Sequence, residues 1–237
     1  MRIAMVGDEF VPDMGGVPLY TLGLSTALAK LGAEPVIITH AHQGQTERDE
    51  FHGIEVRRLR GFVVPCLNRA VSPALAHRLH THLKFDGFDV VHGQDVHSSM
   101  ALLSIILAHR RMIPSVLTCH SVRGSLGAWR VVYQPITLIV KRADGILAVS
   151  EAARELYIGL GVLDTKVKVI PNGVDLSLFN PNVDGSAIRA QLGIGQDPLV
   201  ATAIRLIKRK GPRYLIDAFD RVLQAIPNVK LAIAGQG

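Results

Sequence analysis

Cysteine is scarce in this chain of 237 residues, and its scarcity excludes several classes of protein. The two cysteines, Cys66 and Cys119, lie far apart and lack the close spacing of a zinc-binding pair. The ten histidines do not form an H-E-x-x-H arrangement either. We therefore expect free thiols rather than a disulfide scaffold, and we expect no metal site.

Aromatic residues are also few. They make up 5% of the chain and are not interleaved with the basic residues, as they are in grooves that bind single-stranded nucleic acid. The net charge is nevertheless +6 and the isoelectric point about 9.6, which suits an anionic partner such as an acidic membrane surface or a phosphorylated substrate. A nucleic-acid partner is not predicted. The alternative is that the excess Lys and Arg only solvate the surface.

Long hydrophobic runs are missing as well. No stretch of about 18 uncharged apolar residues occurs, so the sequence predicts no membrane-spanning helix. The N-terminus lacks the apolar segment of a secretion signal. We expect a cytoplasmic protein, either free or peripheral at the inner face of a membrane. The apolar segment Trp129–Val140 suits membrane docking or, as the alternative, a helix of the core.

What the chain contains is a regular alternation of short apolar runs and helical patterns. Strands are predicted at Ile3–Val6, Pro35–Thr39, Ile54–Leu59, Asp89–His92, Ser115–Cys119, Gly145–Val149 and Val167–Ile170. Helices are predicted before Gly32, at Val71–Leu83, His97–His109 and Trp129–Lys141, and after Ser150. Strands separated by such helices form a parallel sheet covered on both faces. We therefore predict a Rossmann-like, doubly wound α/β domain over residues 1–175.

A turn-rich connection follows, and then the pattern starts again. Residues 171–173 and 180–185 are rich in turn formers, and residues 176–197 are predicted to be a linker. The next unit consists of a strand at Leu199–Ala203, a helix from Pro212 and a strand at Val229–Ala234. Because one such βαβ unit buries too little apolar surface for a stable domain, residues 198–237 are interpreted as the incomplete start of a second Rossmann-like domain.

Two motifs in this framework suit an anionic ligand. Gly15-Gly16 lies between the first strand and the first helix, where glycines let the backbone approach an anion at a helix N-terminus. A tight turn is the alternative. Arg205 and Lys210 belong to a cluster of cations that follows a strand and precedes a helix, at the edge where open α/β sheets bind ligands. Two cations there suit a diphosphate, and a solvated basic turn is the alternative.

Three further residues lie at predicted strand ends and turns. His120 follows the strand Ser115–Cys119, at the same sheet edge as the glycine pair, where it could hydrogen-bond a hydroxyl or transfer a proton. A structural histidine is the alternative. Ser150 is typical of a helix N-cap, and Asn172 of a turn. Their composition alone does not indicate catalysis.

Taken in order, these segments resemble glycosyltransferase family 4, whose members have the two-domain GT-B fold and act with retention. The resemblance covers the whole chain, and the order and spacing of its motifs are specific. The motifs are Phe10–Pro12 with Gly15–Val17, Thr118–Ser121, Ala148–Glu151, Val169–Asp175, Arg205-Leu206 with Lys210-Gly211, and Ala234–Gly237.

The resemblance implies a nucleotide-sugar donor and a role for each donor-side motif. Gly15 and Gly16 would lie against the donor diphosphate. Arg205 and Lys210 would neutralise the leaving phosphate and so act as electrostatic catalysts. The chain has no Asp-x-Asp motif, which disfavours a metal-dependent enzyme, and no cofactor is expected.

The remaining roles that the resemblance implies concern the acceptor side and the cleft. His120 would face the sugar as a third catalytic residue. Ser150 and Asn172 would line the cleft between the two domains. The motifs Thr39–His42 and His120–Gly124 are similar to the phosphatidylinositol N-acetylglucosaminyltransferase catalytic-subunit branch. That branch implies UDP-N-acetylglucosamine as donor and an inositol phospholipid as acceptor, but mannosyltransferases that use GDP-mannose share most of these motifs.

Three features depart from the family pattern. Ile204 stands before Arg205 where the family usually has Gly, which affects the approach of this loop to the donor. Pro18 and Tyr20 replace the polar or His residues that often follow the glycine pair, which affects acceptor recognition. The Glu-x7-Glu motif of the second domain is absent, and Glu47 with Glu55 matches its spacing only by coincidence.

The sequence leaves two main hypotheses for the function. The first is a glycosyltransferase that acts on a lipid or glycan acceptor. The second is a non-catalytic fragment, or one half of a split enzyme, that binds the acceptor and needs a partner chain for the rest of the second domain. A nucleotide-sugar epimerase is a third, less favoured hypothesis.

Overall fold

The computed structural model describes residues 1–12, 15–42, 44–61, 63–64, 69–70, 72–120 and 129–237. These residues form two compact units, Met1–Gly173 and Val174–Gly237. The sequence predictions for Cys66 and for residues 121–124 lie outside the described part of the chain.

The first unit is built on one eight-stranded sheet. The strands of the unit are β1 (Arg2–Val6), β2 (Glu34–His40), β3 (Arg48–Phe51), β4 (Ile54–Leu59), β5 (Val63–Val64), β6 (Arg69–Ala70), β7 (Val90–Gln94), β8 (Ser115–Cys119), β9 (Gly145–Ala148) and β10 (Val167–Val169). Their order in the sheet is β10-β9-β8-β7-β1-β2-β4-β3, with β5 and β6 forming a separate small ribbon. All neighbours are parallel except β3, which runs antiparallel to β4 at one side.

Helices cover both faces of this sheet. They are α1 (Gly16–Lys30), α2 (Pro73–Phe85), α3 (Ser99–Arg111), α4 (Trp129–Val140) and α5 (Glu151–Gly159). Alternate residues of the central strand β1 belong to two different cores: Ala4 and Val6 pack with α2 and α3, whereas Ile3 and Met5 pack with α1. A strand buried on both faces must be apolar throughout, and this explains the continuous run from Ile3 to Val6. The predicted doubly wound α/β fold is confirmed.

The described half of α4 belongs to the core. Val140 and Thr137 are buried, and Ile136 and Ile139 pack against the cluster formed by α3, α5 and strands β8 to β10. In this part of the helix, Pro135 and Leu138 are exposed. The core-helix alternative therefore describes this half of α4. Within the described ranges, no helix combines the length and the apolar character needed to cross a bilayer.

The second unit is small and leaves most of its apolar side chains exposed. It contains α6 (Ser186–Gln191), β11 (Leu199–Ala203), α7 (Pro212–Ala225) and β12 (Lys230–Ala234). Strands β11 and β12 are parallel, so the predicted βαβ unit is confirmed. Among its described apolar residues only Ile194 and Val229 are buried, and α7 buries none.

Strand β3 and helix α6 were missing from the sequence prediction. Strand β3 has the sequence Arg-Asp-Glu-Phe and is mostly exposed, so it shows neither an apolar run nor a clear alternation. Helix α6 lies inside residues 176–197, which were predicted to be a linker only. It has six residues and buries none of them, so it carries no hydrophobic periodicity that the sequence could reveal.

Candidate active site

The carboxyl ends of seven parallel strands meet at one edge of the first sheet, and the segments leaving this edge carry the residues singled out from the sequence. Gly15 and Gly16 follow β1, His120 follows β8, Ser150 follows β9 and Asn172 follows β10. Ligands of open α/β sheets bind at such an edge. The functional roles of these residues stay predictions.

The glycine pair forms the start of α1. Gly15 is the N-cap with an extended backbone (φ −151°, ψ 169°) and offers no side chain to the first helical amides. Neither glycine has a positive φ, and a Cβ placed on Gly16 would meet no described atom within 4 Å. The backbone conformation therefore does not require glycine here. The first amides of the helix have no intrahelical acceptors.

Helix α3 begins at the same edge but already carries an anion. The carboxylate of Asp8 accepts hydrogen bonds from the amides of Ser99 (2.8 Å) and Met100 (2.9 Å). Burial raises the pKa of Asp8, and these backbone bonds oppose the rise. Asp8 occupies the α3 N-terminus as a permanent internal ligand. The sequence analysis missed this role because the partners lie about ninety residues further along the chain.

The imidazole of His120 lies against α1. Its ring packs edge-to-face on Tyr20, with centroids 4.5 Å apart and an interplanar angle of 73°. Burial lowers the pKa of His120, and the nearby carboxylate of Asp95 partly opposes this. The Nε2 atom is buried and has no hydrogen-bond partner among the described residues. His120 is thus a largely neutral histidine whose Nε2 forms no hydrogen bond with the described residues.

A second histidine lies one step deeper in the sheet. His92 of β7 is buried, and its Nε2 is 2.7 Å from the hydroxyl of Thr118 on β8. Burial, reinforced by His120, lowers the pKa of His92 from 6.5 to about 4. Beside it, Gln94 is 1% exposed, and its amide has no partner among the described residues. This polar row under the candidate site was not predicted, because strand residues of mixed polarity give no pattern of their own.

Ser150 and Asn172 have different local roles. The Ser150 hydroxyl accepts a hydrogen bond from the Ala153 amide at 3.2 Å, which confirms the predicted N-cap of α5. Asn172 is exposed in the segment that follows β10, near the end of the first unit. Their part in lining a cleft stays a prediction.

Arg205 of the second unit sits on a firmly held backbone. The amides of Ile204 and Leu206 donate to the carbonyls of Ala234 (2.9 Å) and Gln236 (2.8 Å), so the strand pairing continues past β11 and β12. The two segments approach so closely that a Cβ on Gly235 would lie 1.8 Å from the Ile204 carbonyl oxygen. Glycine is therefore required at position 235. It lets the Arg205 segment lie against the end of β12.

Lys210 ends a short 3₁₀ turn, Lys208–Lys210, directly before α7. The turn is joined to the helix by Gly211 in the left-handed conformation (φ 68°), with Pro212 as the first helical residue. Both Arg205 and Lys210 are exposed, and neither forms an ion pair with any residue that the structure describes. Their charge is available to a ligand.

The described side chains provide neither a metal site nor a reactive thiol. No three His, Cys, Asp or Glu residues of the described ranges are grouped so that they could hold a metal ion. Cys119 is a buried free thiol, and burial raises its pKa to about 12. Its sulfur therefore stays protonated near neutral pH and cannot act as a thiolate.

The order of these elements along the chain is that of the GT-B fold: a Rossmann-like unit with a glycine pair at its carboxyl edge is followed by a second βαβ unit with cations after its first strand. The solved structure of Anabaena HepE in complex with UDP-glucose has this fold, with a TM-score of 0.74 at 22% identity over 100% of this chain and 61% of the other. The model of the family described as Glycosyltransferase Family 4 matches residues 14–178. The chain belongs to this family.

The alignments with curated relatives cover the whole chain or nearly all of it. A phosphatidylinositol N-acetylglucosaminyltransferase subunit from Arabidopsis thaliana is 28% identical over 242 residues, covering 100% of this chain and 52% of the relative. A D-inositol 3-phosphate glycosyltransferase of Xylanimonas cellulosilytica is 30% identical over 266 residues, covering 99% of this chain and 63% of the relative. The chain therefore spans about half to two thirds of the length of these relatives.

Proposed function

We propose that this protein transfers a sugar from a nucleotide-sugar donor to an acceptor with retention and without a metal ion. One observation carries the proposal: in a member of glycosyltransferase family 4, Arg205 and Lys210 have no carboxylate partner among the described residues, and the backbone on either side of Arg205 is hydrogen-bonded to the segment at the end of β12. Fixed cations stabilise the charge that develops on a departing diphosphate, and they do so without reorganisation during the reaction. This is the work that a metal ion does in metal-dependent transferases.

The first unit supplies the complementary groups. We assign the amides at Gly15 and Gly16 to the donor diphosphate, because Gly15, the N-cap of α1, has no side chain that could occupy the first amides of the helix. We assign His120 to a sugar hydroxyl, since its neutral ring has an uncommitted Nε2. Tyr20, which departs from the family pattern, packs on His120 and fixes its ring plane. Ser150 and Asn172 remain assigned to the cleft wall.

The proposed donor is UDP-N-acetylglucosamine and the proposed acceptor an inositol phospholipid. The support for both lies in the names of the relatives. One name is that of a phosphatidylinositol N-acetylglucosaminyltransferase and another that of a D-inositol 3-phosphate glycosyltransferase, so both names contain an inositol phosphate unit. GDP-mannose is the competing donor. A membrane-bound acceptor accords with a peripheral position at the inner face of a membrane.

The test is a calorimetric titration of the chain, without metal, with UDP-N-acetylglucosamine, GDP-mannose, UDP and GDP. We expect one nucleotide and its sugar to bind selectively. Arg205→Gln should weaken that binding about tenfold or more, because a charge-assisted contact to a phosphate contributes roughly 1.5–3 kcal/mol. Arg213→Gln is the matched control. Arg213 is an exposed cation of α7, and its Nε lies 4.0 Å from Oδ2 of Asp217. Equal losses in both variants would refute a specific role for Arg205.

A second candidate is an acceptor-binding half that needs another chain for donor binding. The exposed apolar side chains of β11, β12 and α7 favour it, because such surfaces normally pack against further structure. The same titration, extended to an inositol phosphate as the acceptor headgroup, separates the two candidates. Binding of the acceptor headgroup without binding of any nucleotide would establish the second and overturn the first.

A further inference from the structure

The edge at which the strands of the first sheet begin carries uncompensated positive charge. Helix α3 ends in His109, Arg110 and Arg111, and Arg142 lies just before β9. Within the described ranges, none of the three arginines forms an ion pair with a carboxylate. The carboxylate close to Arg142 in sequence, Asp144, is engaged instead by the amide and hydroxyl of Ser115 at 2.9 and 3.1 Å.

Part of this charge surrounds a pocket. Ile106, His109, Arg110 and Arg142 line a cavity of about 170 Å³. A water molecule takes up about 30 Å³ in the liquid, so the cavity has room for a small tetrahedral anion. Three of its four lining residues are the exposed basic residues His109, Arg110 and Arg142, and none of the four is acidic.

Helix electrostatics account for only part of this cluster. Basic residues in the last turn of α3 stabilise the carbonyl end of the helix dipole, which explains His109 and Arg110. Arg142 does not belong to α3 and comes from the turn that follows α4. Arginines from two segments therefore line the same cavity. Guanidinium groups suit bidentate binding of phosphate oxygens, which favours an anionic ligand here.

We propose that this pocket binds a phosphoryl group. The group is either free phosphate or a soluble phosphate ester, or the headgroup phosphate of a lipid, since the recognising chemistry is the same. The pocket lies where the strands begin, whereas Gly15, Gly16 and His120 lie where strands end, so it is separate from the candidate active site. The proposal does not depend on the proposed function.

The first arm of the test titrates the full chain with inorganic phosphate and follows the backbone amide NMR signals of the pocket residues. We expect saturable shifts at His109, Arg110 and Arg142, and at least tenfold weaker binding by Arg142→Gln. The matched control is Lys30→Gln, because Lys30 is an exposed cation in the last turn of α1, at the same edge of the sheet. Binding by the control should stay within twofold of the parent protein. Arg142→Lys, which keeps the charge but loses the bidentate fork, should bind with intermediate affinity.

The second arm measures flotation with vesicles of phosphatidylcholine, with and without phosphatidylserine. Flotation that is lost in Arg142→Gln and competed by phosphate identifies a lipid headgroup as the source. Phosphate binding without flotation identifies a soluble source. The proposal is overturned if phosphate does not bind saturably. It is equally overturned if Arg142→Gln and Lys30→Gln weaken binding to the same extent, which would indicate general attraction to a basic surface.

Discussion

At the scale of single residues, the candidate site is marked by two buried or half-buried histidines, His92, which pairs with Thr118, and His120. Burial makes the charged form of both imidazoles unfavourable, and His120 further disfavours the protonation of His92. The two imidazoles therefore stay neutral at physiological pH. They can form hydrogen bonds without placing a positive charge beside the nucleotide-sugar donor. The positive charge of the proposed mechanism comes instead from Arg205 and Lys210.

The depressed pKa of His92 gives a prediction for stability. Between its ordinary pKa of 6.5 and the folded value of about 4, the unfolded chain binds a proton that the folded chain does not. The first unit should therefore lose stability as pH falls through this window, by about 3 kcal/mol in total from His92. Urea unfolding of the parent protein and His92→Gln at pH 7.5, 6.5, 5.5 and 4.5 measures the difference.

The difference between the two profiles isolates His92 from the other titrating groups. His120 acts in the same direction, whereas Asp8, whose folded pKa is raised, acts in the opposite direction. Both are present in both proteins. Parallel pH profiles of parent and variant would contradict the assignment of a strongly depressed pKa to His92.

At the scale of secondary-structure elements, capping shows which residues have a structural role at the candidate site. Ser72, Ser98 and Ser150 each accept a hydrogen bond from the amide of the third residue of the helix that follows. The N-caps of α1, α6 and α7 are instead glycines, which have no side chain. Within the first unit, α1 is the helix that the family resemblance assigns to the donor diphosphate.

Substitutions of Ser150 can distinguish its structural role as a helix cap from a role in binding. Ser150→Ala should lower the free energy of unfolding by about 1 kcal/mol, because the Ala153 amide loses its acceptor. Ser150→Asp should restore most of that loss, since aspartate caps helices equally well. Urea titrations of the three proteins provide the measurement. No change in Ser150→Ala would contradict the capping role and leave the cleft as the explanation for this residue.

The elements also show how far the sequence predicts this fold and its candidate site. The strands of the parallel sheet were predicted within one or two residues, because most of them are short apolar runs. Strand β3 and helix α6 were missed because both are short and exposed and show no clear hydrophobic periodicity. The edge position of His120 followed from local sequence. The Asp8 cap and the His92–Thr118 pair did not, since each depends on contacts between distant segments.

At the scale of the whole molecule, burial is distributed very unevenly between the two units. Strands β1, β7 and β8 lie in the middle of the sheet and are almost completely buried. Strands β11 and β12 form a two-stranded sheet that is only partly covered. Few buried contacts and exposed backbone hydrogen bonds are the physical features of segments that open readily.

Native-state hydrogen exchange should therefore distinguish the two units. We expect the amides of β1, β7 and β8 to exchange at least about a hundredfold more slowly than those of β11 and β12, a difference of about 2.8 kcal/mol. A saturating nucleotide-sugar donor should slow exchange in the second unit if Arg205 and Lys210 bind it. Uniform protection of all five strands without a ligand would contradict the unequal stability of the units.

The parallel arrangement of the first sheet also limits how this unit can face a membrane. A five-residue strand such as β7 is about 16 Å long, so the phosphoryl pocket and the His120 edge are separated by at least that distance. A bilayer that held the pocket by a lipid headgroup would turn the His120 edge toward the aqueous side. An enzyme working on a lipid in that same bilayer would need the opposite orientation. Occupation of the pocket and attack on a membrane acceptor would then compete, so phosphorylated lipids would restrain the enzyme while soluble phosphates would leave its orientation free.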